Sequence, residues 1–297
     1  MLVRTFASAV TGIDAVTVTI EVNVSRGIRF FLVGLPDVAV KESQQRIESA
    51  LRSLGYHWPG KQVVINMAPA DIRKEGSSYD LPLAMGILTA DEKVIKDEIE
   101  SYIIMGELSL DGTLQPVKGV LPIALRAREE GFKGVIVPVK NAREAAVVNE
   151  LEVYGMEKLG DVVDFFNGTR KFTPVKVDLM EIFNNEANKY DIDFSDVRGQ
   201  ENVKRALEVA AAGGHNLIMI GPPGAGKTML AKRLPTIIPP LTLEEALETT
   251  KIHSVAGKID DHTALMTKRP FRSPHHTISD VVLSNDGVAS FFFANSS

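Results

Sequence analysis

The segment "GPPGAGKT", residues 221–228, restricts the fold of this chain more than any other stretch. It fits the pattern G-x-x-x-x-G-K-[ST] at every fixed position, and its glycines allow a tight backbone curl that other residues disfavour. The apolar run "NLIMI" (216–220) precedes it and predicts a short buried strand, and "MLAKRL" (229–234) follows as an amphipathic helix. The sequence therefore predicts a strand, a curled loop and a helix in succession, which is a unit of an α/β fold.

A loop of this composition is suited to hold the phosphates of ATP. Successive N–H groups can point at phosphate oxygens, Lys227 supplies a positive charge for the β and γ phosphates, and the Thr228 hydroxyl can ligate Mg²⁺. The helix that begins near Lys227 adds its positive end. The alternative, a Gly/Pro turn that holds no ligand, is disfavoured by the flanking strand and helix. We therefore predict ATP and Mg²⁺ as cofactors, Thr228 as the metal ligand, and a nucleotide-binding set comprising Gly221, Pro222, Pro223, Gly224, Ala225, Gly226, Lys227, Thr228 and Met229.

Residues 1–167 predict a complete mixed α/β domain. Its clearest strand is "AVTVTIEVNV" (15–24), in which apolar and polar residues alternate as in a strand with one buried face. "IRFFLVGLP" (28–36) is expected beside it, and Asp37 is expected to cap a helix to about Gly55. The other expected elements are strands at 61–69, 134–138 and 151–156, helices at 79–90 and up to about Glu130, and a hairpin at 102–117 with Asp111-Gly112 in its turn.

A linker is predicted over residues 168–194, where Gly, Pro, Asn and mixed charges replace the periodic pattern. A second domain is predicted over residues 195–297, with a helix at 201–214 ahead of the phosphate loop.

This second domain is expected to be incomplete. ATP hydrolysis usually needs another apolar strand that ends in an acidic residue, which holds Mg²⁺. After the loop, Glu245 forms a helix capping box with Thr242, Asp260 follows polar residues, and the final "SFFFANSS" contains no acid. We therefore expect no catalytic residues in this chain, which would bind ATP but hardly hydrolyse it.

The composition limits the compartment and the chemistry. The chain has no cysteine, which excludes disulfides and cysteine nucleophiles and suits a reducing cytoplasm. It has no continuous apolar run of membrane-spanning length, and its start lacks the apolar core of a signal peptide. The net charge of −5 gives no indication of nucleic acid by itself. We expect a cytoplasmic protein with no membrane partner.

The segments around the loop carry a more specific resemblance. "DFSDVRGQENVKRALEVAAAGG" (193–214), the loop itself and "RPFRSPHHTIS" (269–279) resemble the magnesium-chelatase-like AAA+ ATPases of the ComM/YifB type. The N-terminal half is similar to that family's leading domain, which shares its fold with the Lon protease domain and with domain 2 of ribosomal protein S5. The resemblance covers residues 1–281. It implies an N-terminal Lon-protease-like, S5 domain 2-like α/β domain followed by an incomplete P-loop AAA+ domain.

The resemblance also implies a function. Members of this family are expected to be cytoplasmic ATPases that form a ring, a homo-hexamer, and that remodel branched DNA by branch migration during recombination in natural transformation. The partners would be nucleotide and DNA. The family's acidic strand is expected soon after "HHTIS", where this chain has "DVVLSNDGVASFFFANSS". We therefore expect a truncated or frameshifted product.

Three other functions are open. The likeness to Lon raises a Ser–Lys peptidase with Ser78 near the nucleophile position, but Leu121 stands where the lysine should be and Lys118 lies three residues early. A serine without its base is not activated, so Ser77 and Ser78 are instead expected to cap the helix at 79–90. The others are a non-catalytic interaction module in the N-terminal domain and a chelatase-type motor that inserts metal into a tetrapyrrole. The N-terminal domain argues against the chelatase.

The basic segment 268–276 is left without an assigned role. Its three cations could contact phosphate of DNA or of a neighbouring subunit's nucleotide, and a solvated loop is the alternative. The histidine pair lacks a third metal ligand nearby in the sequence. The roles of Arg272, His275 and His276 therefore stay open.

Overall fold

The computed structural model describes residues 1–186, 190–260 and 263–271, and the backbone of 292–293. By its contacts the chain divides into two compact units. The first unit comprises Met1–Leu179 and Leu247–Leu265, and the second comprises Met180–Ala246 and the described residues from Met266 onward. The domain boundaries predicted from the sequence remain predictions. They do not anticipate that Leu247–Leu265 groups with the first unit.

The first unit is built on a seven-stranded mixed sheet with the strand order β3-β4-β2-β1-β5-β8-β9. Its strands are β1 (Leu2–Thr11), β2 (Asp14–Ser25), β3 (Phe30–Val33), β4 (Gln62–Ala68), β5 (Tyr102–Ile104), β8 (Gly134–Pro138) and β9 (Glu152–Met156). β2 runs antiparallel to both β1 and β4, and the other neighbours in the sheet are parallel. Two short strands, β6 (Glu107–Leu108) and β7 (Leu114–Gln115), form a separate antiparallel hairpin.

The alternating strand has one buried and one polar face, as the sequence predicts. Val18, Ile20 and Val22 of β2 are buried. On the opposite face, Glu21 accepts hydrogen bonds from Asn66 of β4 at 3.2 Å and from Arg4 of β1 at 3.4 Å. The order of the strands differs from the prediction, because β3 pairs with β4 and not with β2. Local alternation identifies strands but does not specify which strands pair.

The helices of the first unit are α1 (Val38–Lys41), α2 (Ser43–Ser53), α3 (Asp80–Ala90), α4 (Val120–Glu129), α5 (Val139–Ala145) and α6 (Leu159–Asn167). Asp37 caps α1 as predicted, since its side chain accepts from the Val40 N–H at 2.8 Å. The single helix predicted from Asp37 to about Gly55 is wrong. The chain turns at Glu42, whose N–H closes α1 on the Val38 carbonyl at 3.0 Å. Apolar spacing does not register such a break.

The predicted capping of α3 by serine side chains is also wrong. The residue before α3 is Tyr79, and no side chain caps the helix. The Ser77 hydroxyl donates to the Glu107 carboxylate instead. The N–H of Asp80 bonds to the Ser77 carbonyl at 3.1 Å and that of Leu81 to the Gly106 carbonyl at 3.0 Å. The start of α3 is therefore satisfied by backbone groups.

The remaining elements are α7 (Leu179–Glu186), α8 (Glu201–Gly213), β10 (Ile218–Met219), α9 (Lys227–Arg233), α10 (Leu243–Val255) and β11 (Phe292–Phe293). The predicted capping box at α10 is confirmed, because Glu245 accepts from the Thr242 N–H at 2.8 Å and Thr242 accepts from the Glu245 N–H at 3.2 Å.

A short strand does form within the predicted range 216–220, but the prediction that it is buried is wrong. The described strand is only Ile218–Met219, and Ile218 and Ile220 are 67% and 75% exposed. No described segment covers these two side chains.

Among the described residues, no helix combines the length and apolar character needed to cross a membrane.

Candidate functional site

The phosphate loop has the backbone conformation that its glycines suggest. Gly224 and Gly226 adopt left-handed φ angles of +80° and +83°, which cost other residues about 1–2 kcal/mol. Gly221 has no such angle, and a Cβ added there would lie 3.8 Å from the Ala225 Cβ, which is ordinary contact. Two of the three glycines are therefore required by the conformation of the loop itself.

The loop presents a row of free backbone donors. The N–H of Ala225 bonds to the Pro222 carbonyl at 3.3 Å, and the first helical bond of α9 runs from Leu230 to Gly226 at 3.0 Å. The N–H groups at positions 224 and 226–229 donate to no other group of the described chain. Because a helix start leaves its first N–H groups without helical partners, they are available to an anion.

Lys227, the first residue of α9, lies over the same loop. Its ammonium donates to the carbonyl oxygens of Gly221 at 2.5 Å and Pro222 at 2.9 Å. These are weaker acceptors than a charged phosphate oxygen, which would compete for the ammonium. The predicted cation is therefore held at the loop without an ion-pair partner among the described residues.

Thr228 and Met229 lie on the exposed side of the first turn of α9. The Thr228 hydroxyl makes no hydrogen bond within the described chain, so it is accessible to a ligand. No group of three or more acidic, histidine or cysteine side chains is close enough to form a metal site in the described part of the chain. The role of Thr228 as a Mg²⁺ ligand stays a prediction.

The loop is anchored from two sides. Leu230 and Leu234 are 2% and 3% exposed and pack in one apolar cluster with Leu207 of α8. On the other side, the Gln200 amide donates to the Ala225 carbonyl at 3.3 Å. Gln200 immediately precedes α8 and has a left-handed φ of +55°. The sequence gives no signal for this residue, because nothing in the local pattern connects it to a loop 25 residues further on.

The residues considered for a Ser–Lys peptidase are not brought together. No hydrogen bond joins the Ser78 hydroxyl to a lysine among the described residues. Lys118 packs beside Gly257, whose added Cβ would lie 2.7 Å from the Lys118 Cε. Leu121 is completely buried, and its N–H donates to the Glu144 carboxylate at 3.0 Å. The described residues therefore supply no lysine hydrogen-bonded to Ser78 as its base.

A buried carboxylate lies beside this position. Glu144 also accepts from the Ser254 hydroxyl and from the Asn141 amide, the latter at 3.5 Å. Burial raises the pKa of Glu144, although these three donors oppose the shift. Ser254 lies in the segment Leu247–Leu265, so this network ties that segment into the first unit.

Arg272, His275 and His276 lie outside the described residues. The neighbouring Arg269 is described, and its guanidinium donates to the Pro239 carbonyl at 2.8 Å and to Glu245 at 3.4 Å. One cation of the basic segment is therefore already used in holding the chain near the start of α10.

Comparison with known proteins identifies relatives along both halves of the chain. The family profile of subunit ChlI of Mg-chelatase matches residues 20–141, and the profile of magnesium chelatase, subunit ChlI, matches residues 193–290. Competence protein ComM of Haemophilus influenzae is 41% identical over 285 residues, which are 95% of this chain and 55% of ComM. The protein YifB of Salmonella typhimurium is 41% identical over 282 residues, 94% of this chain and 54% of YifB.

A more distant relative supports the α/β fold. Lon protease 2 of Bacillus subtilis is 29% identical over 125 residues, 42% of this chain and 22% of the protease. The chain spans about half the length of the curated ComM and YifB relatives that it matches. With two matching profiles and this level of identity along nearly its whole length, the chain belongs to the ComM/YifB family of magnesium-chelatase-like proteins.

Proposed function

We propose that this chain binds Mg²⁺-ATP through the loop at residues 221–228. The observation that carries the proposal is the left-handed pair Gly224 and Gly226, which lies among N–H groups that have no partner in the described chain, beside the Lys227 ammonium. Donors that are in place before the ligand arrives lose little conformational freedom on binding. The relatives' magnesium-chelatase profile supports the choice of nucleotide and magnesium.

Each residue of the loop has a distinct task in this proposal. The N–H groups at positions 224 and 226–229 would donate to phosphate oxygens, and Lys227 would exchange its two carbonyl partners for phosphate. The Thr228 hydroxyl is the one loop side chain that is free to ligate Mg²⁺, which would neutralise phosphate charge. Gln200 donates to the Ala225 carbonyl, and in this proposal that bond would hold the oxygen away from the negatively charged ligand.

The proposal for the intact protein goes further. One relative is named as a competence protein, which suits an ATP-driven ring, a homo-hexamer, that remodels branched DNA in recombination. The 297-residue chain itself would turn ATP over slowly, because no acidic residue follows its last apolar stretch "GVASFFF". Insertion of metal into a tetrapyrrole and a purely non-catalytic interaction module are the alternative functions. A cytoplasmic location is part of the same proposal.

Anisotropy of a fluorescent ATP analogue in Mg²⁺ tests the binding site. Lys227→Ala should weaken binding on the order of 100-fold, as expected for a charge-assisted contact of about 2–3 kcal/mol. Lys232→Ala is the matched control, since Lys232 is exposed on the same helix and makes no hydrogen bond to the loop in the described chain. Equal affinities of the wild type and Lys227→Ala would exclude the loop as the site.

Release of inorganic phosphate tests the proposal of slow turnover. The chain with Mg²⁺-ATP should release phosphate no faster than Lys227→Ala, with or without a four-way DNA junction. Junction-stimulated release that Lys227→Ala abolishes would show that the chain carries a complete hydrolytic site, and would contradict slow turnover while supporting the DNA motor.

A further inference from the structure

The two edge strands of the seven-stranded sheet, β3 and β9, differ in what pairs with their outer side. At one edge, β9 is covered in part by a later segment, because the Val175 N–H donates to the Val153 carbonyl at 2.8 Å. At the other edge, β3 has β4 as its only neighbour in the described sheet. An edge strand offers a row of free backbone donors and acceptors to another chain.

The direction of these free groups follows from the pairing with β4. The Val63 N–H donates to the Arg29 carbonyl at 2.9 Å, so the backbone of Arg29 faces β4. Successive residues of a parallel strand bond to opposite sides. Phe30 and Leu32 therefore present their N–H and C=O groups outward, at the spacing that an added strand requires.

The same edge is apolar and exposed. Phe31 and Val33 are 42% and 48% exposed on one face of the strand, and Ile28 and Leu35 at its two ends are 92% and 56% exposed. Natural edge strands are usually protected by being very short, or by a charge, a bulge or a proline within the strand. β3 has only four residues, but none of the other three devices stands within Phe30–Val33, so the edge keeps properties of a binding surface.

Two cations stand at the start of this edge. Arg26 and Arg29 are both exposed, and neither makes an ion pair or a side-chain hydrogen bond within the described chain. At the far end, the Asp37 carboxylate is occupied by the N–H groups of Val40 and Gly76, at 2.8 and 3.0 Å. The unsatisfied charge along the edge is thus positive and lies at one end, which favours an acidic occupant.

We propose that the β3 edge binds an extended acidic peptide as an additional strand. The peptide backbone pairs with Phe30 and Leu32, alternate apolar side chains cover Phe31 and Val33, and carboxylates pair with Arg26 and Arg29. Main-chain bonds supply affinity in such strand addition, and side chains supply specificity. This surface belongs to the first unit and does not depend on nucleotide binding.

The test uses the 297-residue chain and two fluorescein-labelled synthetic peptides. Both contain alternating valine and threonine. One peptide carries two aspartates after this stretch, and the other carries them before it. Anisotropy should show saturable binding, and the better of the two peptides reports the direction of the added strand. A peptide with lysines in place of the aspartates should bind about tenfold more weakly or worse. A peptide N-methylated at alternate backbone nitrogens keeps its side chains and should lose binding.

Protein variants separate the two parts of the surface. The double variant Arg26→Glu, Arg29→Glu should bind the acidic peptide about tenfold more weakly and the lysine peptide more tightly. The double variant Phe31→Thr, Val33→Thr keeps residues that favour strands but removes the apolar surface. It should bind both peptides more weakly. Arg143→Glu on the exposed face of α5 is the control and should change neither.

Three outcomes would overturn the proposal. One is equal binding of the acidic and lysine peptides, and another is full binding of the N-methylated peptide. The third is a concentration-dependent dimer in sedimentation velocity that Phe31→Thr abolishes, since a second copy of the chain would then occupy the edge. Loss of nucleotide binding in Lys227→Ala bears on none of these, so the two proposals fail separately.

Discussion

The two units of the chain place their residues under different demands. All eleven residues of α3 in the first unit are buried, whereas only Leu230 and Ala231 among the seven residues of α9 in the second unit are buried. The first unit is therefore constrained mainly by packing. The loop at residues 221–228 is constrained by backbone conformation at the surface, where substitutions outside Gly224 and Gly226 should cost little stability and change nucleotide binding. Outside these two glycines, stability and nucleotide affinity should consequently respond to different substitutions.

The largest effect on stability is expected at a buried ion pair in the first unit. Asp80 is 1% exposed and receives two bonds from Arg46, at 2.6 and 2.9 Å. Burial raises the pKa of Asp80 and Arg46 opposes this shift. Arg46→Ala leaves the buried carboxylate unpaired and should lower the free energy of unfolding by about 3–5 kcal/mol. Trp58, the only tryptophan of the chain, reports urea unfolding of this unit through its fluorescence.

The control for this prediction is an exposed pair on the same helix. Arg52 is 70% exposed and bonds to Glu48 at 2.6 Å. Arg52→Ala should cost about 0.5 kcal/mol or less, since exposed pairs contribute little. If Arg46→Ala lowered the free energy of unfolding by no more than Arg52→Ala does, the Arg46–Asp80 pair would not stabilise the first unit.

An intermediate effect is expected at glycines with left-handed backbone. Gly224 in the loop and Gly168 after α6 have φ angles of +80° and +66°, and a Cβ added at either meets no atom within 4 Å. Alanine at each position should therefore cost about 1–2 kcal/mol through backbone strain alone. Only Gly224→Ala should weaken the binding of ATP, and titrating both variants with ATP checks this difference. Equal loss of affinity in both would show that the effect is not specific to the loop.

The smallest effect is a pH dependence at Glu144. Burial raises its pKa in the folded state above the unfolded value, so its contribution to stability is present at low pH and is lost as the pH rises through the folded pKa. Glu144→Gln keeps an acceptor for the Leu121 N–H and cannot ionise. Between about pH 4 and pH 8 the variant should gain stability relative to the wild type, by on the order of 1 kcal/mol.

Urea unfolding of wild type and variant at several pH values measures this difference. Glu157→Gln, at an exposed position, is the control for replacing a glutamate by glutamine. A constant offset between the wild type and Glu144→Gln across the range would contradict the assignment.

The features that the sequence predicted correctly are those with short-range causes. The start of α9 at Lys227, the capping box at Thr242 and Glu245, and the alternating faces of β2 all depend on residues within a few positions of one another. The strand β1 was missed, although Val3, Thr5, Ala7 and Ala9 alternate inward in it, because small and polar residues there weaken the apolar signal.

The features that were missed depend on contacts between distant residues. The pairing of β3 with β4, the bond from Gln200 to Ala225, and the tie between Glu144 and Ser254 join segments that no local pattern relates. The exposure of Ile218 and Ile220 was missed for a related reason. An apolar run shows that residues can be buried, but other segments of the chain decide whether they are.

The most direct test of nucleotide binding at the loop is amide hydrogen exchange of the chain with and without Mg²⁺-ATP. The N–H groups at positions 224 and 226–229 have no partner in the described chain, so they should exchange rapidly without nucleotide and become protected with it. β2 in the first unit should not change, and Lys227→Ala should abolish the protection. Saturating Mg²⁺-ATP that leaves residues 221–229 unprotected, or that protects the first unit instead, would contradict the proposed site.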